Sequence, residues 1–147
     1  MIFDLKKRLL IGVKGLGFVV YDPKTGKYSN FGSIPEYKNL KTTNLNTARC
    51  FAWDNDSNLW IGGRYKGVIK LNPNTGEYIN LNGESRDNRI PVREVFSMHK
   101  DKVGTLWMAT SNGLFRVGKG ESNKFNDLDI TRFAHNNNDP ASLSENQ

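Results

Sequence analysis

Three oxygen-bearing side chains stand at alternate positions, Asp54, Asp56 and Asn58, and a spacing of this kind can direct ligands toward Ca²⁺. A calcium loop of the EF-hand type also needs glycine at its sixth position and an acidic residue at its twelfth. Those two positions hold Leu59 and Tyr65. We therefore predict a turn in which Asp54 accepts hydrogen bonds from nearby amides, and we predict no metal site.

The remaining residues do not combine into a catalytic or cofactor-binding pattern. Three glycines within residues 12–17 fall short of the Gly-x-Gly-x-x-Gly phosphate loop, because Val20 occupies its last position and no helical pattern follows. His99 and His135 have no cysteine, serine or acidic partner at a catalytic spacing. The sequence thus predicts no catalytic residue and no cofactor, and a protein that is not an enzyme.

Arginine and tyrosine side chains in predicted loops, together with Arg49 on a predicted innermost strand, are the candidates for binding. Arginine offers paired hydrogen bonds to carboxylate or sulfate, and tyrosine offers a flat face for a sugar ring. The candidate ligand residues are Arg49, Arg64, Tyr65, Arg89 and Arg93, with similar chemistry nearby at Lys14, Tyr37, Lys66, Arg86, Ser111 and Asn112. They favour an anionic oligosaccharide, and the alternative is that they are solvated loop residues without a ligand.

The overall charge is compatible with an anionic partner without selecting one. The 147 residues include 21 Lys and Arg against 15 Asp and Glu, a formal net charge of +6. The basic residues are spread along the chain rather than gathered in a stripe, so we expect no nucleic-acid partner. No apolar run is long enough to span a membrane, and we expect no direct membrane contact. The N-terminus lacks the pattern of a signal peptide, so an export signal would lie outside this sequence.

These residues must be positioned by a threefold internal repeat. An aspartate precedes a tryptophan or leucine by six residues three times, in the pairs Asp4 and Leu10, Asp54 and Trp60, and Asp101 and Trp107. The offsets of 50 and 47 residues suit one four-stranded antiparallel unit each. Asp22-Pro23-Lys24-Thr25-Gly26 and Asn72-Pro73-Asn74-Thr75-Gly76 repeat the same tight hairpin turn. We expect no helix, because no stretch has a 3.6-residue period.

The repeat predicts an all-β fold, a partial β-propeller of about three four-stranded antiparallel blades in an incomplete ring. An isolated meander of this length cannot bury both faces, and stacking of wedge-shaped units solves that problem. A solenoid would need shorter units, and an immunoglobulin-like sandwich would not repeat its turns. We expect one propeller fragment over residues 1–147, with blades at 1–32, 46–82 and 92–135 and a linker to a further blade at 136–147.

Residues 54–62 and 67–78 together resemble the two-component regulator propeller repeat. The matching features are Asp54, Leu59-Trp60-Ile61-Gly62, Gly67-Val68 and Asn72-Pro73-Asn74-Thr75-Gly76 followed by Tyr78. Residues 133–146, Phe133-Ala134-His135 and Asp139-Pro140-Ala141-Ser142-Leu143-Ser144-Glu145-Asn146, resemble the linker between such blades. The sequence departs from the pattern at Leu10 and at Met108-Ala109, where we expect changes compatible with packing.

This resemblance implies the sensor region of a hybrid two-component histidine kinase. In that family the blades lie outside the cytoplasm of Gram-negative bacteria, sense ligands that are typically oligosaccharides, and pass the signal across the membrane. It implies a periplasmic location, and partners that include an oligosaccharide or other small ligand. Propellers close with four to eight blades, so we also expect further blades of the same protein or a second copy of the chain. The alternative is a scaffold or protein-interaction module that does not bind sugar.

Overall fold

The computed structural model describes residues 1–81 and 89–146, and within these it forms three four-stranded antiparallel sheets whose strands lie side by side in chain order. The first sheet contains β1 (Ile2–Phe3), β2 (Leu9–Val13), β3 (Gly17–Asp22) and β4 (Lys27–Asn30). The second contains β5 (Ala48–Trp53), β6 (Leu59–Gly63), β7 (Val68–Leu71) and β8 (Tyr78–Asn80). The third contains β9 (Val95–Lys100), β10 (Leu106–Thr110), β11 (Gly113–Lys119) and β12 (Leu128–Phe133).

The two repeated hairpin turns form as predicted. The Asp22 carboxylate accepts a hydrogen bond from the Lys24 amide at 2.9 Å, and the Asp22 carbonyl accepts one from the Gly26 amide at 2.8 Å. In the second sheet Asn72 accepts the corresponding amides of Asn74 and Gly76 at 3.0 and 2.8 Å. Both closing glycines have positive φ, 69° and 75°, a conformation that side chains disfavour. These turns fix the register of the outer strands.

The three sheets stack face to face with two apolar layers between them. The layer between the first and second sheets includes Leu10, Phe18, Val20, Phe51, Leu59, Ile61, Ile69 and Leu71. The layer between the second and third sheets includes Ala52, Trp60, Val68, Val95, Leu106, Met108, Phe115 and Val117. The first strands of the second and third sheets, β5 and β9, lie against each other. This architecture is three blades of a β-propeller, and it confirms the predicted fold class.

The connection between the first and second sheets differs from the prediction. It contains two 3₁₀ helices, Phe31–Ser33 and Lys38–Thr43, where we expected a polar segment without helix. Tyr37, Leu40 and Leu45 of this segment are buried in the first apolar layer. Because 3₁₀ helices are this short, they leave no 3.6-residue period in the sequence. None of the helices within the described ranges is long and apolar enough to cross a membrane.

The third sheet has a long outer hairpin and a chain segment folded back on it. Strand β11 runs to Lys119, and residues 120–127 separate it from β12. After β12 the chain returns, and the Asn146 carbonyl accepts a hydrogen bond from the Gly113 amide at 2.9 Å. In the second sheet Gly67 makes the same bond to the Arg93 carbonyl at 3.2 Å, just before the next first strand. Residues 134–146 therefore lie where a connection between blades lies elsewhere in the molecule.

Candidate functional site

The loop that begins with Asp54 is built around its own carboxylate. Asp54 Oδ1 accepts hydrogen bonds from the amides of Asp56 and Asn58 at 3.0 and 2.9 Å, and Oδ2 accepts the indole N–H of Trp60 at 3.0 Å. Both carboxylate oxygens of Asp54 therefore accept hydrogen bonds within its own turn, as predicted from the sequence. In the described part of the chain no group of three or more His, Cys, Asp or Glu side chains could hold a metal ion.

The corresponding aspartate of the first sheet, Asp4, accepts hydrogen bonds from other donors, because Leu10 replaces the tryptophan there. Asp4 accepts hydrogen bonds from the Arg8 guanidinium at 2.8 Å and from the Tyr37 hydroxyl at 3.1 Å. Burial alone would raise the pKa of Asp4, but the hydrogen bonds and charge of Arg8 lower it overall. Burial, together with the Asp4 charge, raises the pKa of Tyr37 well above its usual value. Tyr37, expected at the ligand rim, is therefore a core residue.

Three of the predicted ligand residues come together where the second and third sheets meet. Arg49 lies on β5, and Arg64 and Tyr65 follow β6. Arg49 Nη1 lies 3.2 Å from one carboxylate oxygen of Glu94, and Arg64 Nε lies 4.0 Å from the other. The Arg64 guanidinium also lies over the Tyr65 ring, 5.2 Å from its centroid. We call Arg49, Arg64, Tyr65, Glu94 and Phe96 the arginine cluster.

Glu94 and Phe96 complete this cluster and were missed in the sequence. The Arg49 guanidinium lies 5.6 Å from the centroid of the Phe96 ring, which is 42% exposed. A signal was available, because Arg49 and Phe96 are both second residues of the first strand in their sheets. The repeat therefore places them side by side. Nothing in the repeat marks Glu94, which lies just before β9.

The cluster has hydrogen-bonding capacity left over. Arg64 Nε is buried and has no hydrogen-bond acceptor within range. Tyr65 is 41% exposed, although the Arg64 guanidinium lies over one face of its ring. Arg93 precedes Glu94 and is exposed, and its carbonyl accepts the Gly67 amide at 3.2 Å. Two guanidinium groups thus lie at one carboxylate, an excess of positive charge beside two partly exposed aromatic rings.

The structure does not bring Arg89 to this cluster. Arg89 Nη1 donates a hydrogen bond to the Asn126 carbonyl at 2.8 Å, in the loop between β11 and β12. That loop is at the opposite end of the third sheet from the β10–β11 turn, because the strands are antiparallel. In the β10–β11 turn, the Asn112 carbonyl accepts a hydrogen bond from Arg132 at 2.8 Å. Arg86, a further sequence candidate, lies outside the described residues.

A cleft of about 620 Å³ opens between the second and third sheets, at the end of the strands opposite the arginine cluster. Lys70, which is 5% exposed, projects into it and donates a hydrogen bond to the Phe125 carbonyl at 2.7 Å. Its ammonium also lies 4.4 Å from the Phe125 ring centroid. Burial lowers the pKa of Lys70. At this end Lys119 bridges the two sheets by pairing with Asp56 at 3.0 Å.

The cysteine thiol is largely buried, and the His135 ring contacts the C-terminal segment. Burial raises the pKa of the Cys50 thiol to about 11, so it stays protonated at neutral pH. His135 is exposed, and its ring nitrogens lie 2.6 Å from the Leu143 carbonyl and 2.6 Å from Asn137 Oδ1. These contacts raise the pKa of His135. The two contacts tie the His135 ring to the C-terminal segment.

The fold is shared with solved extracellular domains from B. thetaiotaomicron. Two structures of the BT4673 extracellular domain, described in one case as a hybrid two-component system and in the other as a one-component system, match with TM-scores of 0.66 and 0.68. Both are 18% identical to this chain, and the alignments cover 98% and 99% of it. The extracellular domain of the hybrid two-component system BT3049 matches over 94% of the chain with 26% identity and a TM-score of 0.57.

These matches confirm the predicted resemblance at the level of the fold. The chain spans 17%, 17% and 15% of the solved chains, about one sixth of their length. No protein-family model and no curated protein matches the sequence. The class of protein is therefore defined by three propeller blades of the type found in those extracellular domains.

Proposed function

We propose that this chain is a ligand-sensing, non-catalytic part of a hybrid two-component sensor and works outside the cytoplasm, in the periplasm. The fold supports this proposal, because the solved structures that share it are extracellular domains of such systems. We further propose that the ligand is an anionic oligosaccharide and that it binds at the arginine cluster. The observation that carries this second step is the convergence of Arg49 and Arg64 on Glu94, beside two partly exposed aromatic rings.

The chemistry of the cluster fits a sulfated or carboxylated sugar. Guanidinium groups bind such anions through paired, charge-assisted hydrogen bonds, and exposed aromatic faces pack against sugar rings. In the free protein Glu94 occupies part of that hydrogen-bonding capacity. An anionic ligand would therefore compete with Glu94 for the two arginines, and a neutral sugar would gain little by displacing it.

The test is calorimetric titration of the protein with a sulfated oligosaccharide and with its desulfated counterpart. We expect binding of the sulfated form only. Arg64→Ala should weaken it by about tenfold to a hundredfold, because one charge-assisted contact contributes about 1.5–3 kcal/mol. Glu94→Gln should strengthen it, because the competing charge is removed. Arg116→Ala is the matched control, since Arg116 pairs with Asp129 in the third sheet, away from the cluster.

Two outcomes would count against the proposal. Equal affinity for sulfated and neutral sugars would remove the anion specificity, and no binding of either would favour a module that interacts with proteins instead. Arg93→Ala adds a graded check, because this exposed arginine beside Glu94 should contribute less than Arg64 does.

A further inference from the structure

A lysine lies in the apolar layer between the second and third sheets. Lys70, on β7, is 5% exposed and is paired across the sheet with Trp60 on β6. In the first sheet the same pair of positions holds Val20 and Leu10, which are at most 2% exposed. A buried ammonium group costs free energy that a buried apolar side chain does not. The fold therefore accepts an apolar residue at this position, and packing does not explain why the second sheet has an amine there.

The ammonium group of Lys70 has few partners in the described part of the chain. It donates a hydrogen bond to the Phe125 carbonyl at 2.7 Å, and no carboxylate within residues 1–81 and 89–146 forms an ion pair with it. Burial has the largest effect on the pKa of Lys70 and lowers it, although the charges of Asp54 and Asp56 act in the opposite direction. A lowered pKa increases the share of the amine that is neutral, and the neutral amine is the nucleophile.

An open cleft gives small molecules a route to this amine. Lys70 and Phe125 lie on the wall of the cleft of about 620 Å³ between the second and third sheets. Pockets that hold small organic ligands have volumes of about 300–1,000 Å³. Asn72, Glu77 and Asn123 also lie on this wall, so the cleft suits a small polar molecule. A primary amine in such a place can react with a carbonyl group.

We propose that Lys70 reversibly captures an aldehyde in this cleft as an imine. The ammonium group first releases a proton to solvent, and the neutral amine then attacks the carbonyl carbon to form a carbinolamine. The carbinolamine hydroxyl group takes up a proton and leaves as water, so that a protonated imine remains. No oxidant or reductant takes part, and water reverses the reaction. Aldehyde capture does not depend on the function proposed above, because the arginine cluster lies at the opposite end of the strands.

The surroundings of Lys70 suit a protonated imine as well as they suit the ammonium group. An ammonium group has three N–H donors, and the described residues offer it one acceptor, the Phe125 carbonyl. A protonated imine keeps the positive charge and has a single N–H, which that carbonyl can accept. The Trp60 and Phe125 ring centroids, 5.7 and 4.4 Å from the ammonium nitrogen, attract either cation. The imine therefore keeps the favourable contacts and removes two donors for which the described residues provide no acceptor.

A non-covalent anion is a less suitable occupant of the cleft. Its described wall residues include three lysines and four carboxylates, those of Asp54, Asp56, Glu77 and Asp127. This balance of charge gives an anion no net attraction. A neutral aldehyde is not repelled by the carboxylates, and it makes use of the primary amine of Lys70.

The test is reductive trapping with benzaldehyde and sodium cyanoborohydride, followed by peptide mass mapping. Benzaldehyde has no α-hydrogen, so its imine cannot rearrange, and the hydride converts the imine into a stable secondary amine. At limiting aldehyde we expect Lys70 to be modified before any other of the 13 lysines. Lys119 and Lys124 are the matched comparison, because both lie on the same cleft wall and are exposed. Faster modification of either one would overturn the proposal, because accessibility alone would then set the order.

Variants at residue 70 separate the amine from the charge. Native mass spectra recorded without reductant should contain an adduct of protein plus aldehyde minus one water, and dilution into aldehyde-free buffer should remove it. Lys70→Arg keeps a cation and a donor for the Phe125 carbonyl but should lose most of the adduct, whereas Lys119→Arg should keep it. Lys70→Met should lose it too, and we expect this variant to fold because the first sheet has Val20 at the same position. An undiminished adduct in both Lys70 variants, or an adduct that survives dilution, would contradict reversible capture at Lys70.

Discussion

At the scale of single residues, the aspartate that recurs three times in the repeat is hydrogen-bonded in two ways. Asp54 and Asp101 accept the indole N–H of Trp60 and Trp107, each at 3.0 Å. Asp4 has no indole to bind and takes its hydrogen bonds from Arg8 and Tyr37 instead. The repeat thus keeps the aspartate because it organises the turn, and it tolerates Leu10 because other donors replace the indole.

His135 provides a pH-dependent prediction at the same scale. Both neighbours of its ring, the Leu143 carbonyl and Asn137 Oδ1, are acceptors, so both contacts are hydrogen bonds only when both ring nitrogens carry a hydrogen. Only the cationic imidazolium does so, and accordingly the pKa is raised above 6.5, with a small contribution from the charge of Glu145. The resulting stabilisation is complete below the unfolded-state pKa and is lost as the pH rises through the higher folded-state pKa.

We therefore expect residues 136–146 to lose amide protection from hydrogen exchange between about pH 6 and about pH 8, after correction for the intrinsic rate. In His135→Gln, these amides should be as weakly protected at the lower pH as they are at the higher pH in the unmodified protein. His99→Gln is the matched control, because His99 is an exposed histidine on β9 outside this segment. Equal corrected protection at both pH values would show that the imidazolium does not hold the segment.

At the scale of elements, glycine in the second strand allows the next sheet to approach. A methyl group at Gly12 would overlap the Ala48 carbonyl oxygen, which belongs to the first strand of the second sheet. Gly62 is in the same position against Val95. The Leu-Trp-Ile-Gly segment is therefore a packing device, in which tryptophan fills the layer and glycine admits the neighbouring strand.

Replacement of Gly12 tests whether glycine at this position is needed for the close approach of the second sheet. We expect Gly12→Ala to lower the free energy of unfolding by about 2–3 kcal/mol, because a rigid backbone group rather than a flexible side chain must move. Gly26→Ala is the control, since its φ is 69° but no atom lies within 4 Å of the added methyl. It should cost about 1 kcal/mol from backbone strain alone. Urea denaturation measures both values, and equal costs would contradict a specific clash at Gly12.

The features that recur with the repeat were predictable from the sequence, whereas the contacts between sheets were harder to predict. The aspartate turns, the repeated hairpins and the strands followed from turn chemistry and the internal repeat, which depend on residues close together in the chain. The 3₁₀ helices of residues 31–43 left no periodic signal because they are too short. Glu94 could not be predicted as the partner of Arg49 and Arg64, because that contact depends on how two sheets pack. The distance of Arg89 from those arginines likewise depends on how the chain connects and packs the sheets, which the repeat does not encode.

At the scale of the whole molecule, the stacking of sheets creates the candidate site. Arg49, Arg64 and Glu94 belong to different strands and loops and meet only where the second and third sheets adjoin. At the corresponding junction between the first and second sheets, Lys14 stands at the position of Arg64 and Thr47 at that of Glu94, so the repeat places no carboxylate there. The shared residues build the blades, and the residues that differ between the repeats give one junction its charge.

The measurement that tests the central claim most directly is NMR mapping of a sulfated oligosaccharide on the isotope-labelled protein. We predict that amide signals of residues 49, 64, 65 and 94–96 shift in a saturable way, and that those of the turns at 54–58 and 101–105, at the opposite end of the strands, do not. Desulfated ligand should leave all of them in place. Shifts confined to the opposite end, or shifts equal for both ligands, would contradict an anion-sensing site at the arginine cluster.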